Sequence, residues 1–214
     1  MLRRITVHQF HNTSRTARIR GKWDVADNRW LKEDGANFAA LLYRLQNDSP
    51  SHYARIEETI RLILPFFETF ELYPEFERIL LRWRETGSDH IFNASQASDG
   101  MLRALALITL LLQPEADLPD VLILDEPEPG LNQFDIEVIS SLIHRAAHHV
   151  QIVVATQSVS LIDRFEPNDI VVTNRSGHES TFRRLNSADP TEWLGTYTLS
   201  ELWEKNVVGG RPSH

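Results

Sequence analysis

An α/β fold built on a mainly parallel sheet is what this sequence predicts, and three observations predict it. Val121–Leu124 (VLIL) and Ile152–Ala155 (IVVA) are short runs with no polar residue, and Ile170–Thr173 (IVVT) is nearly so. Apolar runs of this length, without alternation, read as strands covered on both faces, which is the condition of a parallel sheet. Helical stretches separate them: Phe134–Val150 carries Val138, Ile139, Leu142, Ile143, Ala146 and Ala147 at helical spacing, and Val159–Phe165 is shorter. Strand and helix alternating in this way imply right-handed crossovers and a sheet with both faces covered. Just ahead, Met101–Leu112 (MLRALALITLLL) is apolar on nearly every side and so predicts a buried helix.

The other elements follow from local pattern. Arg3–Phe10 alternates apolar and polar residues and suits a half-buried strand, whereas Asn12–Asp34 is polar and irregular. Asn37–Gln46 and His52–Leu64 have helical spacing; Phe66–Leu72 and Arg78–Arg84 read as strands of a hairpin turning through Tyr73–Glu77. Thr181–Leu185 adds an edge strand, Leu199–Lys205 a last helix, and Val208–His214 a frayed tail. One domain is expected over 1–214, with a strand and helix subdomain at 1–92, a core at 93–185 and a C-terminal helix and tail at 186–214. A chain of 214 residues, 42% hydrophobic, is long enough to bury such a core.

Composition narrows the chemistry. With no cysteine there are no disulfides and no thiolate ligands. MLRRITVHQF lacks the apolar run of a signal peptide, and Met101–Leu112 is too short to span a bilayer, so a cytoplasmic protein with no membrane partner is expected. The net charge of −8 argues against a surface that coats nucleic acid. Met1–Lys22 is the exception: Arg3, Arg4, Arg15, Arg18, Arg20 and Lys22 stand there without an acidic residue. Such a strip either touches phosphates, or is a solvated face, or covers an acidic neighbour.

Three polar clusters sit where a parallel sheet binds ligands. Asp125 and Glu126 close the strand VLIL, at the carboxyl end where open sheets place their sites. In phosphoryl transfer the first carboxylate of such a pair holds magnesium and the second polarises the attacking water; the plainer alternative is an acidic pair facing solvent. Ser98-Asp99-Gly100 opens the buried helix, where a hydroxyl and unbonded backbone N–H groups can grip an anion, or simply cap the helix. Thr156-Gln157-Ser158 follows the next strand, where a side chain can sense a terminal phosphate or belong to an ordinary loop. His144 and His148 stand at i, i+4 on a polar helix face with no third ligand, which favours solvation over metal binding. Ser158 and Ser160 lack a nucleophile elbow. Trp83, Trp193 and Trp203 read as core or interface residues.

Taken in order, these clusters resemble the C-terminal half of an ABC-type ATPase head of the SMC–RecF kind, and more closely the bacterial AAA_21 group. Ala97–Met101 stands at the signature motif, with Ala97 where the family usually has Leu. Val121–Glu126 matches Walker B, Pro129-Gly130-Leu131-Asn132 the D-loop region, and Gln157 the switch position, where histidine is common in the wider superfamily. The resemblance is most specific over Asn93–Arg175 and looser over Asn37–Arg44 and Ser200–Gly210. It implies a P-loop NTPase-like three-layer sandwich, incomplete on its N-terminal side, that uses ATP and Mg2+. The implied roles are Asp125 for metal, Glu126 for catalysis, and Ser98, Asp99, Gly100 and Gln157 for nucleotide.

One element of that pattern is missing. A P-loop needs G-x-x-x-x-G-K-[ST], whose backbone N–H groups wrap the phosphates. The one Gly-Lys pair, Gly21-Lys22, has Thr16 where the earlier glycine belongs and Trp23 where Ser or Thr belongs. No Q-loop is identified either. Because positioning supplies most of the catalysis in phosphoryl transfer, the isolated chain is expected to turn over negligible ATP. The resemblance then implies a Walker A-bearing N-terminal portion or subunit as partner, and a head-to-head homodimer through the signature and D-loop regions. A noncatalytic module that pairs with another ATPase, its carboxylates relics, is the alternative. Nucleic acid as a partner rests on the superfamily and, weakly, on the basic strip.

Overall fold

The computed structural model describes residues 4–10, 12–176, 179–185 and 198–205. It divides into two compact units, Met1–Ala155 and Thr156–His214. The frayed tail Val208–His214, Trp193, Arg3 and the end of the Ser200–Gly210 stretch lie outside the described residues. No described helix is long and apolar enough to cross a membrane.

The first unit contains β1 (Ile5–His8), β2 (Trp23–Asp24), α1 (Phe38–Asp48), α2 (Pro50–Ile63), β3 (Phe67–Phe70) and β4 (Arg78–Ile79). It continues with β5 (Arg82–Glu85), β6 (Ile91–Asn93), α3 (Asp99–Leu112), β7 (Val121–Asp125), α4 (Gln133–Ala146) and β8 (Gln151–Ala155). The α/β class with a parallel sheet stands, in the order β1-β7-β8 with both pairs parallel. Facing residues in a parallel ladder share a face, so the register sorts the side chains. Thr6, Leu122 and Ile152, with His8, Leu124 and Val154, form one face, on which Leu122 and Leu124 are fully buried. Ile5, Val121 and Gln151, with Val7, Ile123 and Val153, form the other. There Ile5 is 57% and Val153 45% exposed, so helices do not cover both faces as the apolar pattern implied.

The predicted helices are all present. α3 is buried at every position from Ala104 to Leu112, as its composition requires, and packs against α2 and α4. α2 begins at Pro50, whose fixed φ suits a first helical turn and separates it from α1. A buried carboxylate fastens α2 to the antiparallel lobe. Glu57 Oε1 accepts hydrogen bonds from Tyr53 Oη (3.0 Å), Thr69 Oγ1 (2.8 Å) and the Phe70 backbone N–H (3.0 Å). Burial and the neighbouring Glu57 charge push the Tyr53 phenol well above its ordinary range.

The hairpin reading needs one revision. Arg78–Arg84 is two strands rather than one: β4 pairs with β2, while β5 pairs antiparallel with β3 and β6. The break lets Ile79 and Trp83 both enter the core, each 1% exposed. β2 lies inside the stretch that reads as irregular, because two residues carry no detectable period.

The second unit holds α5 (Val159–Ile162), β9 (Val171–Ser176), β10 (Glu179–Arg184) and α6 (Leu199–Glu204). Val172, Leu185 and Leu199 form its small core, joined by Ile162 and Ile170. Asp163 ties α6 to α5 by accepting from the Ser200 backbone N–H (2.8 Å) and hydroxyl (2.6 Å). β9 pairs antiparallel with β10, which corrects its placement as a third strand of the parallel sheet. Its apolar start fits either kind of pairing, and only the partner decides.

His8 yields a test of packing in the parallel sheet. It is 3% exposed, and its Nδ1 has no hydrogen-bond partner. Burial chiefly, and the Arg4 charge after it, lower its pKa to about 4 against an opposing hydrogen bond to the Lys32 backbone. The unfolded chain therefore takes up a proton below pH ~6.5 while the folded chain refuses it until pH ~4. Stability is complete above that window and falls through it as pH drops, by up to about 3 kcal/mol. In His8→Leu, urea melts between pH 7 and pH 4 should lose that share of the pH dependence.

Candidate functional site

Asp125 is the last residue of β7, and Gln9 follows the last residue of β1. Because His8 faces Leu124, the next step along both strands sets Gln9 beside Asp125. Gln9 Nε2 donates to Asp125 Oδ2 at 2.6 Å. On the other side Asp125 faces Ala155 at the end of β8. Three parallel strands thus finish together, with an amide and a carboxylate joined across two of them.

Glu126 comes next and adopts a left-handed backbone, φ 41°. Its N–H donates to the Ala155 carbonyl at 2.8 Å, which pins the turn to β8. A non-glycine residue in that region stores roughly 1–3 kcal/mol. Glycine would relieve it, as it would at Phe76 and Glu77, which share a left-handed backbone. The two acidic residues are therefore ordered by a neighbouring side chain and a strained turn, beyond what a merely solvated pair requires.

The mouth of α3 is built more tightly than a simple cap. Ser98 is the N-cap, its Oγ accepting from the Met101 N–H at 3.1 Å. Gly100 lies against Gly130, which has φ 84°, so closely that a Cβ on Gly100 would overlap the Gly130 carbonyl oxygen. Arg103, one turn into the helix, donates from Nε to the Phe10 carbonyl (2.8 Å) and from Nη1 to the Pro129 carbonyl (2.6 Å). Signature and D-loop segments are thereby held together, and both are tied to the residue after Gln9. Asn132 takes its place as N-cap of α4, in a reciprocal capping box with Asp135.

The basic strip turns inward. Arg20, with 8% of its side chain exposed, donates to the Asp99 carboxylate (2.8 Å), to the carbonyls of Ala97 (2.9 Å) and Thr13 (2.8 Å), and to that of Ala94. Arg18 pairs with Asp34 at 3.0 Å and Lys22 with Glu75 at 2.6 Å. Arg4 lies over the Trp30 ring at 3.6 Å and bonds the Asp117 carbonyl. Arg18, Arg20 and Lys22 thus have acidic partners, while Arg15 is exposed.

Gln157 lies in the second unit and is exposed, beside Thr156, whose Oγ1 accepts from the Ser158 N–H at 2.9 Å. Gln9 and Arg20 are the site residues that sequence reasoning missed. Neither sits in a motif, and their partners are 116 and 79 residues away.

The donor set fits a hard divalent cation. Among the described residues no group of three or more His, Cys, Asp or Glu gathers to hold a metal. A cation at Asp125 would rest on that carboxylate plus water and phosphate oxygens, which is how Mg2+ is usually bound.

The comparisons with known proteins identify the family and the fold. The AAA_21 family, described as "AAA domain, putative AbiEii toxin, Type IV TA system", matches residues 3–163. No curated protein matches the sequence. Solved structures similar to it include a chain from work on ATP-driven dimerization and DNA-stimulated activation of SMC ATPases, with 13% identity and TM-score 0.54 over 72% of this chain and 95% of that one. The Smc head domain with an extended coiled coil, bound to the C-terminal domain of ScpA from Pyrococcus furiosus, has 12% identity and TM-score 0.56 over 76% of this chain and 41% of that one. An SmcHead bound to the C-winged helix domain of ScpA has 10% identity and TM-score 0.62 over 87% and 57%. At these identities the likeness is one of fold, and it is the P-loop NTPase fold of SMC heads.

Two substitutions test the local readings by thermal and urea unfolding. Gly100→Ala should cost about 1–3 kcal/mol, because a methyl group must force the two backbones apart. Glu126→Gly should stabilise the chain by about 1 kcal/mol through release of its left-handed strain.

Proposed function

This chain belongs to the AAA_21 family, and we propose that it is the portion of an ATP-hydrolysing head that carries the magnesium ligand, the water-polarising base and the signature element. The phosphate-binding loop comes from a Walker A-bearing portion or subunit. The observation that carries this reading is the ordered pair at the end of β7, with Asp125 fastened by Gln9 and Glu126 held left-handed.

Each residue has a task in that reading. Asp125 holds Mg2+, which when bound neutralises charge on the phosphates and helps orient them. Gln9 fixes the orientation of the Asp125 carboxylate. Glu126 accepts a hydrogen bond from the attacking water and polarises it. Ser98 and Gly100, at the mouth of α3, present a hydroxyl and backbone N–H groups to nucleotide held by a second head. Arg20 positions that mouth by holding Asp99 and the carbonyls before it. Gln157 hydrogen-bonds phosphate or water, the task implied by the switch position it matches. A head-to-head dimer agrees with this division of labour, and the SMC ATPases of similar fold undergo ATP-driven dimerization.

Turnover measured with ATP and Mg2+ tests the reading, using the chain alone and with a P-loop-bearing fragment of an AAA_21 relative. The chain alone should show negligible hydrolysis. The mixture should hydrolyse ATP, and Glu126→Gln should lower its rate by about 10²–10⁴-fold, the contribution of a general base. Ordinary turnover by the chain alone, lost on Glu126→Gln, would overturn the divided site. Failure of every such fragment to restore turnover would instead favour a noncatalytic interaction module.

A further inference from the structure

A cavity of about 350 Å3 lies within the first unit, between the end of α2, the antiparallel lobe and the start of α3. That volume falls at the lower end of the range for small-molecule sites, whose walls are apolar with a few placed polar groups. Phe66, Trp83 and Phe92 give this cavity an aromatic wall, and Met101 and Ala104 of α3 line it as well. Trp83 and Phe92 stack with ring centroids 5.7 Å apart and planes 17° from parallel. Phe66 is 44% exposed and so is open to an occupant.

Two carboxylates complete the lining, and among the described residues no basic side chain joins them. Asp135 is 6% exposed. Its Oδ2 accepts the Asn132 backbone N–H at 3.1 Å, whereas its Oδ1 is buried with no hydrogen-bond partner. A buried carboxylate oxygen without a donor costs about 1–3 kcal/mol or more, so the wall lacks a donor that an occupant can supply. Glu85 is fixed against the stacked rings, because its Oε1 accepts the Trp83 indole N–H at 3.2 Å. Helix N-termini ordinarily draw anions, yet both that border the cavity are met by their own caps. The Met101 N–H bonds Ser98 Oγ, and the Phe134 and Asp135 N–H groups bond Asn132 Oδ1. Two full negative charges therefore set the sign of the cavity.

We infer that this cavity binds a small organic cation, an ammonium or guanidinium group on an apolar or aromatic body. The cationic N–H donates to Asp135 Oδ1 and relieves it. The faces of Phe66, Trp83 and Phe92 attract the charge and pack against the body. A bare metal ion does not suit the wall, since no three His, Cys, Asp or Glu gather among the described residues and aromatic rings supply no ligand atoms. Phosphate is repelled by the same two carboxylates. The inference uses none of the catalytic assignments above, although Ser98 and Gly100 also border the cavity, so the cation sits beside the signature element.

Calorimetric titration of the full chain with three probes of one shape tests the site: tryptamine as cation, indole-3-ethanol as neutral alcohol and indole-3-propionate as anion. Tryptamine should bind one to one, and at least about tenfold more tightly than either of the others, the worth of one charge-assisted hydrogen bond. Asp135→Asn keeps an acceptor for the Asn132 N–H but loses the charge, and should abolish that preference while the alcohol binds as before. Phe66→Ala should weaken tryptamine several-fold. The chain has two methionines, so 13C-methyl labelling gives Met101 a readable signal, which tryptamine should shift by its ring current. That signal decides the matter if Asp135→Asn does not fold: a shift upholds the site, and none overturns it. No binding of tryptamine at millimolar concentration, preference for the alcohol or the anion, or a preference unchanged in folded Asp135→Asn would each overturn the inference. So would dimers of the chain that tryptamine dissociates, because the occupant would then be a basic side chain of a second copy.

Discussion

The backbone of Gly100 lies against the backbone of Gly130 with no space for a side chain between them. Around that contact the chain gathers segments that are distant in sequence. Arg103 locks it by bonding the carbonyls of Phe10 and Pro129, so the end of β1, the mouth of α3 and the turn after β7 move as one piece. Neither glycine tolerates an alternative, since Gly100 lacks room and Gly130 has φ 84°. Because Gln9 precedes Phe10 and Glu126 precedes Pro129 by a few residues, the carboxylate pair inherits this rigidity. A site assembled from three strand ends and a helix start needs such a common anchor, because loops alone leave catalytic groups too loosely placed.

Electrostatics serves the same assembly. Arg18, Arg20 and Lys22 reach acidic partners, and the deepest of them, Arg20, bonds Asp99 and the carbonyls of Thr13, Ala94 and Ala97. A guanidinium suits that task because its planar fork reaches several acceptors at once. It adds a donor to the Ala94 carbonyl, which also accepts from the Ala97 N–H, and it holds the acidic residue at the first turn of α3 from the side.

How much of this was legible in the sequence varied with the range of the signal. VLIL read correctly as a parallel strand, although the cover on both faces that four consecutive apolar side chains imply is only partly realised, and MLRALALITLLL read correctly as a buried helix. The place of Asp125 and Glu126 at the carboxyl end of β7 was legible because they adjoin that strand. Gln9 was not, since nothing local marks a glutamine whose partner lies on another strand more than a hundred residues on. The strand at Val171 was legible as a strand but not in its direction, because a short apolar run fits parallel and antiparallel ladders alike. Arg18 to Lys22 showed their charge but not their partners, which depend on how remote segments pack.

Glu126 carries a further implication, in the terms of mutation and selection. Its left-handed turn makes glutamate a burden at this position, and glycine lies one codon change away from it through GAA→GGA or GAG→GGG. A lineage freed from any need for a carboxylate there would gain stability by the commonest kind of point mutation. Drift should erode such a residue early, before neutral positions on the exposed helices.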